Sequence, residues 1–295
     1  MDIIQIFEVF SDQTACLRFL EKVRWNNKPT CPYCKSENQS PLKKECRYHC
    51  NTCNTSYSVT VGTIFHRTHL PLQKWLLAIS LILNAKKGIS ARQLARHLKV
   101  NRNTAWRISM KIREAMYEPA QKNLLQGILE MDETYVGPKR PRKTQRQRME
   151  GNNFKRGLGT KKTPVVGIAE RYGKVKAKVV RKHQITHKRL SQLVRDNVDL
   201  EKSVLVTDQA KFYRRMNGLL PHETVNHSIE YVNGWIHTNC IESFWALLKR
   251  GIVGQFHKVS KKHLPKYINE FAYRFNHRNN MEIFTLTITK GLGVA

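Results

Sequence analysis

Three carboxylates in the second half of the chain occupy positions from which they could share one metal site. Asp132 and Asp208 each follow a short apolar run and end a predicted strand, and Glu242 begins a predicted helix. Any one of these acids alone is more often a turn or cap residue, so the combination carries the inference. Carboxylate oxygens suit Mg²⁺ or Mn²⁺, and two such ions about 3.5–4 Å apart can assist an in-line displacement at phosphorus. The pattern therefore predicts a divalent-metal site for phosphoryl transfer.

The stretch TNCIESFWALLKRGIVGQFH, residues 238–257, predicts an amphipathic helix with Glu242 and Lys249 seven residues apart. At about 3.6 residues per turn the two side chains return to nearly the same face. Two interpretations fit this placement. Asn239 with Glu242 three residues later matches a capping box, in which Glu242 has a structural role only. Alternatively, Glu242 is an active-site acid and Lys249 is a cation directed to the same site.

Two CxxC pairs in the first quarter of the chain have the spacing of a four-cysteine zinc site. The pairs, separated by fifteen residues, consist of Cys31, Cys34, Cys50 and Cys53. We expect these four thiolates to bind one structural Zn²⁺. Cys46 and His49 lie nearby and could each replace a ligand, although the paired spacing favours the four cysteines. Cys16, on an amphipathic helix beginning near Ser11, is expected to be a small buried residue.

The composition favours a polyanionic partner. The chain of 295 residues has 52 Lys and Arg against 22 Asp and Glu, a formal net charge of +30. Because the basic residues are spread along the whole chain, nucleic acid is a better partner than a membrane surface. We find no signal peptide and no apolar run long enough for a bilayer. A reducing, cytoplasmic location is therefore expected, in which cysteines are metal ligands or buried thiols rather than disulfides.

Residues 89–116 predict two short helices joined by a tight turn, as in a helix-turn-helix. Ser90 and Asn101 stand at the two N-cap positions. The inward positions are apolar: Leu94, Ala95, Leu98, Ala105, Ile108, Ile112 and Ala115. The outward positions of the second helix are long donors suited to base edges and phosphates: Arg102, Asn103, Arg107 and Lys111. A plain helical hairpin with a solvated basic face is the alternative, and the charge of the chain favours DNA contact.

The pattern after Gly127 predicts an α/β domain with a mixed sheet. The predicted order is a strand with Asp132, a hairpin with Gly173 in its turn, and a helix. A buried strand leading into Asp208, a helical region, a short strand and the helix with Glu242 follow. The predicted domains are 1–66 for an N-terminal helix and ribbon, 67–120 for the helix-turn-helix, and 127–285 for the α/β domain.

Several motifs together resemble a known family. MDETYVG, TDQAKFY and HTNCIESFWALLKRG, with CPYC, CNTC and VGTIFHRTHLPLQKWLLAI, resemble the DDE transposases of bacterial insertion sequences, in the group with an N-terminal zinc ribbon. The resemblance covers nearly the whole chain. It implies a ribonuclease H-like domain in which Asp132, Asp208 and Glu242 form the catalytic, metal-binding triad. The interval of 34 residues from Asp208 to Glu242 suits the family. Lys249 matches the basic residue that this family places seven positions after the glutamate, and the match implies contact with the terminal DNA of the element.

The resemblance also implies an activity. We expect cleavage at insertion-sequence ends and joining of the 3′-hydroxyl to target DNA, with Mg²⁺ or Mn²⁺ as the catalytic ion. The expected partners are element ends and target DNA, with homo-oligomers assembling on DNA and no membrane. A domesticated DNA-binding regulator is the alternative, and the retained acids argue against it. A standalone nuclease, which would cut without joining, is a third reading.

The chain departs from the family pattern in small ways. Pro138 stands where a second glycine is common, and Cys240 takes the place of a small residue before the Ile-Glu pair, where we expect it to pack. Residues 138–164 carry ten Lys and Arg against one Glu and would interrupt the sheet. Such long segments are usually functional or disordered, and we expect an arm that orders on DNA rather than a solvated loop.

Overall fold

The chain divides into two units in this computed structural model, which describes residues 1–42, 45–119, 124–138, 157–225 and 234–294. The first unit comprises residues 1–117 together with 279–295, and the second comprises 118–278. The second unit therefore ends before residue 285, where the expected α/β domain ended. Ile283–Gly291 forms a helix in the first unit, in which the backbone N–H of Ile64 donates to the carbonyl of Gly291 at 3.0 Å.

The described helices and strands are numbered here in chain order. The helices are α1 Ile3–Val9, α2 Gln13–Trp25, α3 Leu72–Asn84, α4 Ala91–Leu98, α5 Arg102–Ala115, α6 His187–Asn197, α7 Asn239–Arg250, α8 Leu264–Asn276 and α9 Ile283–Gly291. The strands are β1 Gln39–Leu42, β2 Arg47–Cys50, β3 Thr55–Tyr57, β4 Leu125–Val136, β5 Thr163–Glu170, β6 Val175–Val179, β7 Val198–Asp208 and β8 His222–Val225. None of the described helices is both long enough and apolar enough to cross a bilayer.

The ribbon of the first unit is a small antiparallel sheet in the order β1-β2-β3. Strands of three or four residues cannot bury a core of their own. Trp25 of α2 instead packs edge-on against Tyr48 and Tyr57, with ring centroids 5.8 and 5.9 Å away. Cys16 of the same helix is fully buried, as expected. Cys31 and Cys50 are buried in the same cluster as these rings.

The four cysteines of the two CxxC pairs converge on one point. All four Sγ atoms lie within 4.8 Å of one another, with Cys31–Cys53 at 3.7 Å and Cys34–Cys50 at 3.5 Å. A tetrahedral ion with Zn–S bonds of about 2.3 Å holds its sulfurs roughly 3.8 Å apart, so this donor set fits Zn²⁺. A backbone hydrogen bond from Cys53 lowers the pKa of the Cys50 thiol to about 6, which favours the thiolate. Cys46 is exposed and lies outside the cluster.

The predicted pair of helices forms as α4 and α5. Ser90 Oγ accepts from the backbone N–H of Gln93 at 3.2 Å, and Asn101 Oδ1 accepts from that of Asn103 at 2.8 Å. The inward residues predicted from the sequence are all buried: Leu94, Ala95, Leu98, Ala105, Ile108, Ile112 and Ala115. Capping side chains and an apolar face at helical spacing therefore determine both helices locally.

The second unit contains a five-stranded mixed sheet in the order β6-β5-β4-β7-β8. Strands β4, β5 and β6 are antiparallel neighbours, while β4-β7 and β7-β8 are parallel. One face packs on α6 through residues such as Leu129, Met131 and Leu190. The opposite face packs on α7 and α8 through residues such as Val165 and Phe244. This is the mixed sheet predicted from the sequence.

Two local expectations for this unit are wrong. The helical region predicted after Asp208 contains only a short 3₁₀ turn, Met216–Gly218, because Tyr213, Met216 and Leu220 are buried through successive tight turns. Asp132 does not end its strand, because β4 continues to Val136 by pairing with β5 beyond the end of β7. The basic segment 138–164 falls largely on residues 139–156, which lie outside the described residues.

We predict that the purified protein contains about one Zn²⁺ per chain and that Cys50→Ala abolishes this content. The ribbon strands are too short to fold without the ion, so Cys50→Ala should also make residues of the ribbon accessible to protease. Metal analysis and limited proteolysis measure the two effects. Cys46→Ala is the matched control and should keep its zinc. Freshly purified, reduced protein without zinc would contradict the assignment.

Candidate active site

The acids predicted from the sequence meet in one pocket of the second unit. Its volume is about 400 Å³. The lining residues come from β4, β7 and α7 with the residue preceding α7: Asp132, Asp208, Thr238, Glu242, Trp245, Ala246 and Lys249. Three carboxylates and one lysine, each separately identified in the sequence, therefore face the same space.

Sheet register brings the two aspartates together. Met131 of β4 is the last residue to pair with β7, and its partner is Thr207. Asp132 and Asp208 are the next residues of these two parallel strands, so their side chains point to the same face. The backbone N–H of Ala210 donates to Asp208 Oδ1 at 3.0 Å and holds this carboxylate at the end of β7.

The start of α7 is held by a buried acid of β4, Glu130. Its Oε2 accepts backbone hydrogen bonds from Cys240 at 2.7 Å and Ile241 at 3.0 Å. Its Oε1 forms a salt bridge with Arg171 at 2.9 Å. A carboxylate at a helix N-terminus accepts otherwise unpaired N–H groups and interacts favourably with the helix dipole. Because Glu130 lies two residues before Asp132, this contact sets α7 against the strand that carries the first acid of the pocket.

The capping-box interpretation of Glu242 is wrong. The N-cap residue of α7 is Thr238, not Asn239, and no side chain caps the helix from that position. Glu130 accepts from the first backbone N–H groups instead. Glu242 Oε1 accepts from Thr238 Oγ1 at 2.8 Å, and the side chain lines the pocket. The carboxylate is thus directed to the two aspartates.

Trp245 connects α7 to Asp132 directly. Its indole Nε1 donates to Asp132 Oδ2 at 3.0 Å. The indole reaches this oxygen by lying against Gly167 of β5, the register partner of Asp132. A Cβ atom at residue 167 would stand 2.7 Å from the indole ring and 2.9 Å from Ile241 Cδ1. Glycine is required here by the close approach of the helix, not by its backbone conformation.

The pocket concentrates negative charge in a partly desolvated place. Burial raises the pKa of Asp132 to about 7, and the neighbouring charge of Glu133, with those of Asp208 and Glu242, acts in the same direction. A divalent cation between the carboxylates would reverse this effect by favouring the ionised forms. The electrostatics of the acids therefore fit a cation-binding site.

The donor set fits Mg²⁺ or Mn²⁺ in an open arrangement. Among the described residues, the four cysteines of the ribbon are the one group whose ligand atoms all lie within 4.8 Å of one another. The three carboxylates are thus spread more widely than a closed cage for one ion. Mg²⁺ is usually held by one or two carboxylates, water and substrate phosphate rather than by protein alone. A site of this width leaves room for those ligands.

Four residues of α5 were predicted to point outward and contact DNA, and not all of them are exposed. Arg102, Asn103 and Arg107 are exposed. Lys111 is half-buried, and its Nζ donates to the carbonyls of Ile64 at 3.0 Å and of His66 at 3.4 Å. The expectation that Lys111 points outward is therefore wrong, because its ammonium group supports the turn before α3.

Sequence reasoning missed the residues that orient the acids. They are Glu130, Arg171, Thr238, Trp245 and Gly167. Two of them carried a signal. Trp245 lies three residues after Glu242, which places both on one side of a helix, and Glu130 shares the strand face of Asp132. Nothing in the sequence indicated that Gly167 lies against α7 or that Arg171 pairs with Glu130.

Comparisons with known proteins agree with these observations. Residues 124–276 match the ISXO2-like transposase domain, and residues 11–56 match a transposase zinc-ribbon domain. An uncharacterized protein in transposable element ISH50 of Halobacterium salinarum is 30% identical over 278 residues, which cover 90% of this chain and 92% of that protein.

Solved structures with weaker likeness include the Mos1 strand transfer complex and a simian T-cell lymphotropic virus intasome. The first is 14% identical, with coverage of 74% of this chain and 75% of that one and a TM-score of 0.30. The second is 14% identical, with coverage of 61% and 63% and a TM-score of 0.30. TM-scores this low do not establish a common fold.

The two domain matches, together with the cluster of four cysteines, define a transposase of the DDE class with a zinc ribbon. The chain belongs to the ISXO2-like transposase family, whose domain model matches more than half of its length. The long match to the ISH50 protein points to the same family.

We predict that Gly167→Ala lowers the free energy of unfolding of the second unit by about 1–3 kcal/mol, because the added methyl group displaces Trp245 and Ile241. Urea denaturation followed by circular dichroism measures the change. Gly218→Ala is the matched control, since a Cβ atom there meets nothing within 4 Å. It should be neutral or stabilising by a few tenths of a kcal/mol. Equal stability of the two variants would contradict the close packing of α7 on β5.

Proposed function

We propose that the chain is an active transposase that cleaves the ends of an insertion sequence and joins the freed 3′-hydroxyl to target DNA. The observation that carries this proposal is the convergence of Asp132, Asp208, Glu242 and Lys249 on one pocket. A DNA-binding regulator has no need of three acids in a cleft of a protein with a net charge of +30.

In this proposal the three carboxylates hold Mg²⁺ or Mn²⁺. When bound, the ions supply Lewis-acid stabilisation of the attacking and leaving oxygens. Glu130, Thr238 and Trp245 keep the acids in place through the hydrogen bonds described above, so little reorganisation is needed when DNA enters. Protein side chains therefore position the reacting groups and do not form a covalent bond with DNA.

The proposed reaction has two displacements at phosphorus. In the first, the oxygen of water attacks the phosphate at the element boundary, and the P–O bond to the 3′-oxygen breaks to release a 3′-hydroxyl. In the second, this hydroxyl attacks a target phosphodiester, forms a new P–O bond and releases a target 3′-hydroxyl. Lys249 lines the same pocket and, as a cation, positions the phosphate chain.

Recognition of the element ends is assigned in this proposal to the helix-turn-helix. Its second helix exposes Arg102, Asn103 and Arg107, which are donors suited to base edges and phosphates. Two ends must be joined to one target, so assembly of more than one copy on DNA is part of the proposal.

We predict that Asp132→Asn, Asp208→Asn and Glu242→Gln each reduce cleavage and joining by about a thousandfold or more. Each substitution keeps the shape of the side chain but removes the negative charge that would hold the ions. DNA binding should persist, since the lost charges are negative. Lys249→Ala should weaken binding or alignment of the end by about tenfold and leave metal affinity largely unchanged. Strand-transfer assays with labelled ends measure cleavage and joining, and binding assays with the same ends measure DNA affinity.

The outcome for Glu242→Gln decides its role. An active Glu242→Gln protein would end the assignment of Glu242 as a metal ligand. Cleavage without joining by the parent protein would favour a standalone nuclease over a transposase.

We predict that Arg107→Ala weakens binding to the element ends by about tenfold and reduces the log–log salt slope by about 0.9, as expected for one lost phosphate contact. Stability should not change, because the side chain is exposed. Lys111→Ala should leave binding to the element ends unchanged. It should lower the melting temperature of the first unit, because the two hydrogen bonds to the carbonyls of Ile64 and His66 are lost. Unchanged end binding in Arg107→Ala would remove this position from the interface.

A further inference from the structure

The segment that follows the active-site glutamate is exclusively basic among its charged residues. Between Glu242 and Glu270 the sequence contains no Asp or Glu. Six Lys and Arg occupy the interval, and we call the five exposed ones the basic strip: Lys249, Arg250, Lys258, Lys261 and Lys262. Within the described part of the chain, no residue of the strip forms a salt bridge. These cations therefore have their full charge available to an anionic partner.

An ordered apolar base supports the strip. Ile252 and Leu264 are buried in the core that packs on β5 and β6, and Phe256 and Val259 pack against that core. The ring of Phe256 lies 4.7 Å from that of Tyr267, in an edge-on arrangement. Apolar side chains thus alternate with the cations along this segment. The lysines project from a packed backbone, so less conformational entropy is lost when they bind than in an unpacked loop.

The strip leads away from the active-site pocket. Lys249 lines the pocket, and α7 continues beyond Arg250 as a π-helical turn, Gly251–Phe256. The chain then reverses at His257, where the backbone N–H of Lys258 donates to the carbonyl of Phe256 at 2.6 Å. The helical part of the strip runs from Lys249 to Phe256, and at a rise of about 1.5 Å per residue these seven steps span roughly 10 Å. At about 3.4 Å per base pair, this length corresponds to about three base pairs of duplex.

We propose that the basic strip binds the phosphate backbone of duplex DNA adjacent to the phosphate that reacts in the pocket. The inference rests on the proposed function, because Lys249 belongs both to the pocket and to the strip. Cations spaced over several phosphates and lacking acidic neighbours are typical of sequence-independent backbone contacts. The strip would hold the duplex in register with the three acids, whatever its base sequence.

The test compares two triple variants of the full-length protein. Lys258, Lys261 and Lys262 are replaced by alanine in one, and Lys182, Lys188 and Arg195 in the other. The control residues are also exposed, but they lie on α6 or just before it, where the chain packs on the opposite face of the sheet. Both variants lose three positive charges, so a general effect of net charge is the same in both.

Binding to a 30-base-pair duplex of arbitrary sequence is measured by fluorescence anisotropy over a range of salt concentrations, without Mg²⁺. We expect the log–log slope of the strip variant to fall by up to about 2.7, at about 0.9 for each lost phosphate contact. The control variant should keep the parental slope. Circular dichroism melting curves of both variants should match the parent, because all six side chains are exposed.

Equal slopes for the two triple variants would overturn the proposal. So would a loss of binding to anionic lipid vesicles by the strip variant with its duplex slope unchanged. The proposed function is tested separately by cleavage in the parent protein. A parent that cleaves and joins, together with equal slopes, rejects the strip alone. A parent that never cleaves, together with a reduced slope in the strip variant, rejects the proposed function and retains the strip only as a surface that binds the backbone of duplex DNA.

Discussion

The second unit depends on one buried ionic contact, that of Glu130 with the first turn of α7 and with Arg171. Glu130 is fully buried, so its charge is tolerated only because four donors surround it: two backbone N–H groups and two guanidinium nitrogens. Removing one partner of such a contact typically costs about 3–5 kcal/mol. The position of α7 follows from it, and with α7 the positions of Glu242, Trp245 and Lys249. A buried structural carboxylate thus places the carboxylate of Glu242 in the pocket.

The pocket brings three carboxylates of like charge together, and a hydrogen-bond donor holds each of them in place. Asp132 is stabilised by the N–H of Trp245 and Asp208 by a backbone N–H, while Glu242 accepts from Thr238. These neutral donors orient the carboxylates without neutralising them. Burial raises the pKa of Asp132, the neighbouring carboxylates act in the same direction, and compensation of the charge is left to cations. The formal net charge of the chain, +30, favours a polyanionic partner.

Local patterns in the sequence determined those features whose cause is local. The CxxC pairs, the caps Ser90 and Asn101, the apolar faces of α4 and α5, and the hairpin around Gly173 all have causes within a few residues of chain. The mixed sheet followed from the order of its elements. Asp132, Asp208, Glu242 and Lys249 could be selected as candidates from their positions beside strands and on one helix face, and all four line the pocket.

Tertiary structure alone decided the contacts between distant segments. Lys111 occupies an outward-looking position of its helix, yet it binds carbonyls more than forty residues earlier in the chain. Asn239 has the right type for an N-cap, but Glu130, more than a hundred residues away, accepts from the first turn of α7. Gly167 is needed only because an indole ring lies against it. Periodicity and capping preferences report on neighbours in sequence. The partner of a buried charge or a close-packed glycine is selected by the packing of whole elements, and it has no local signature.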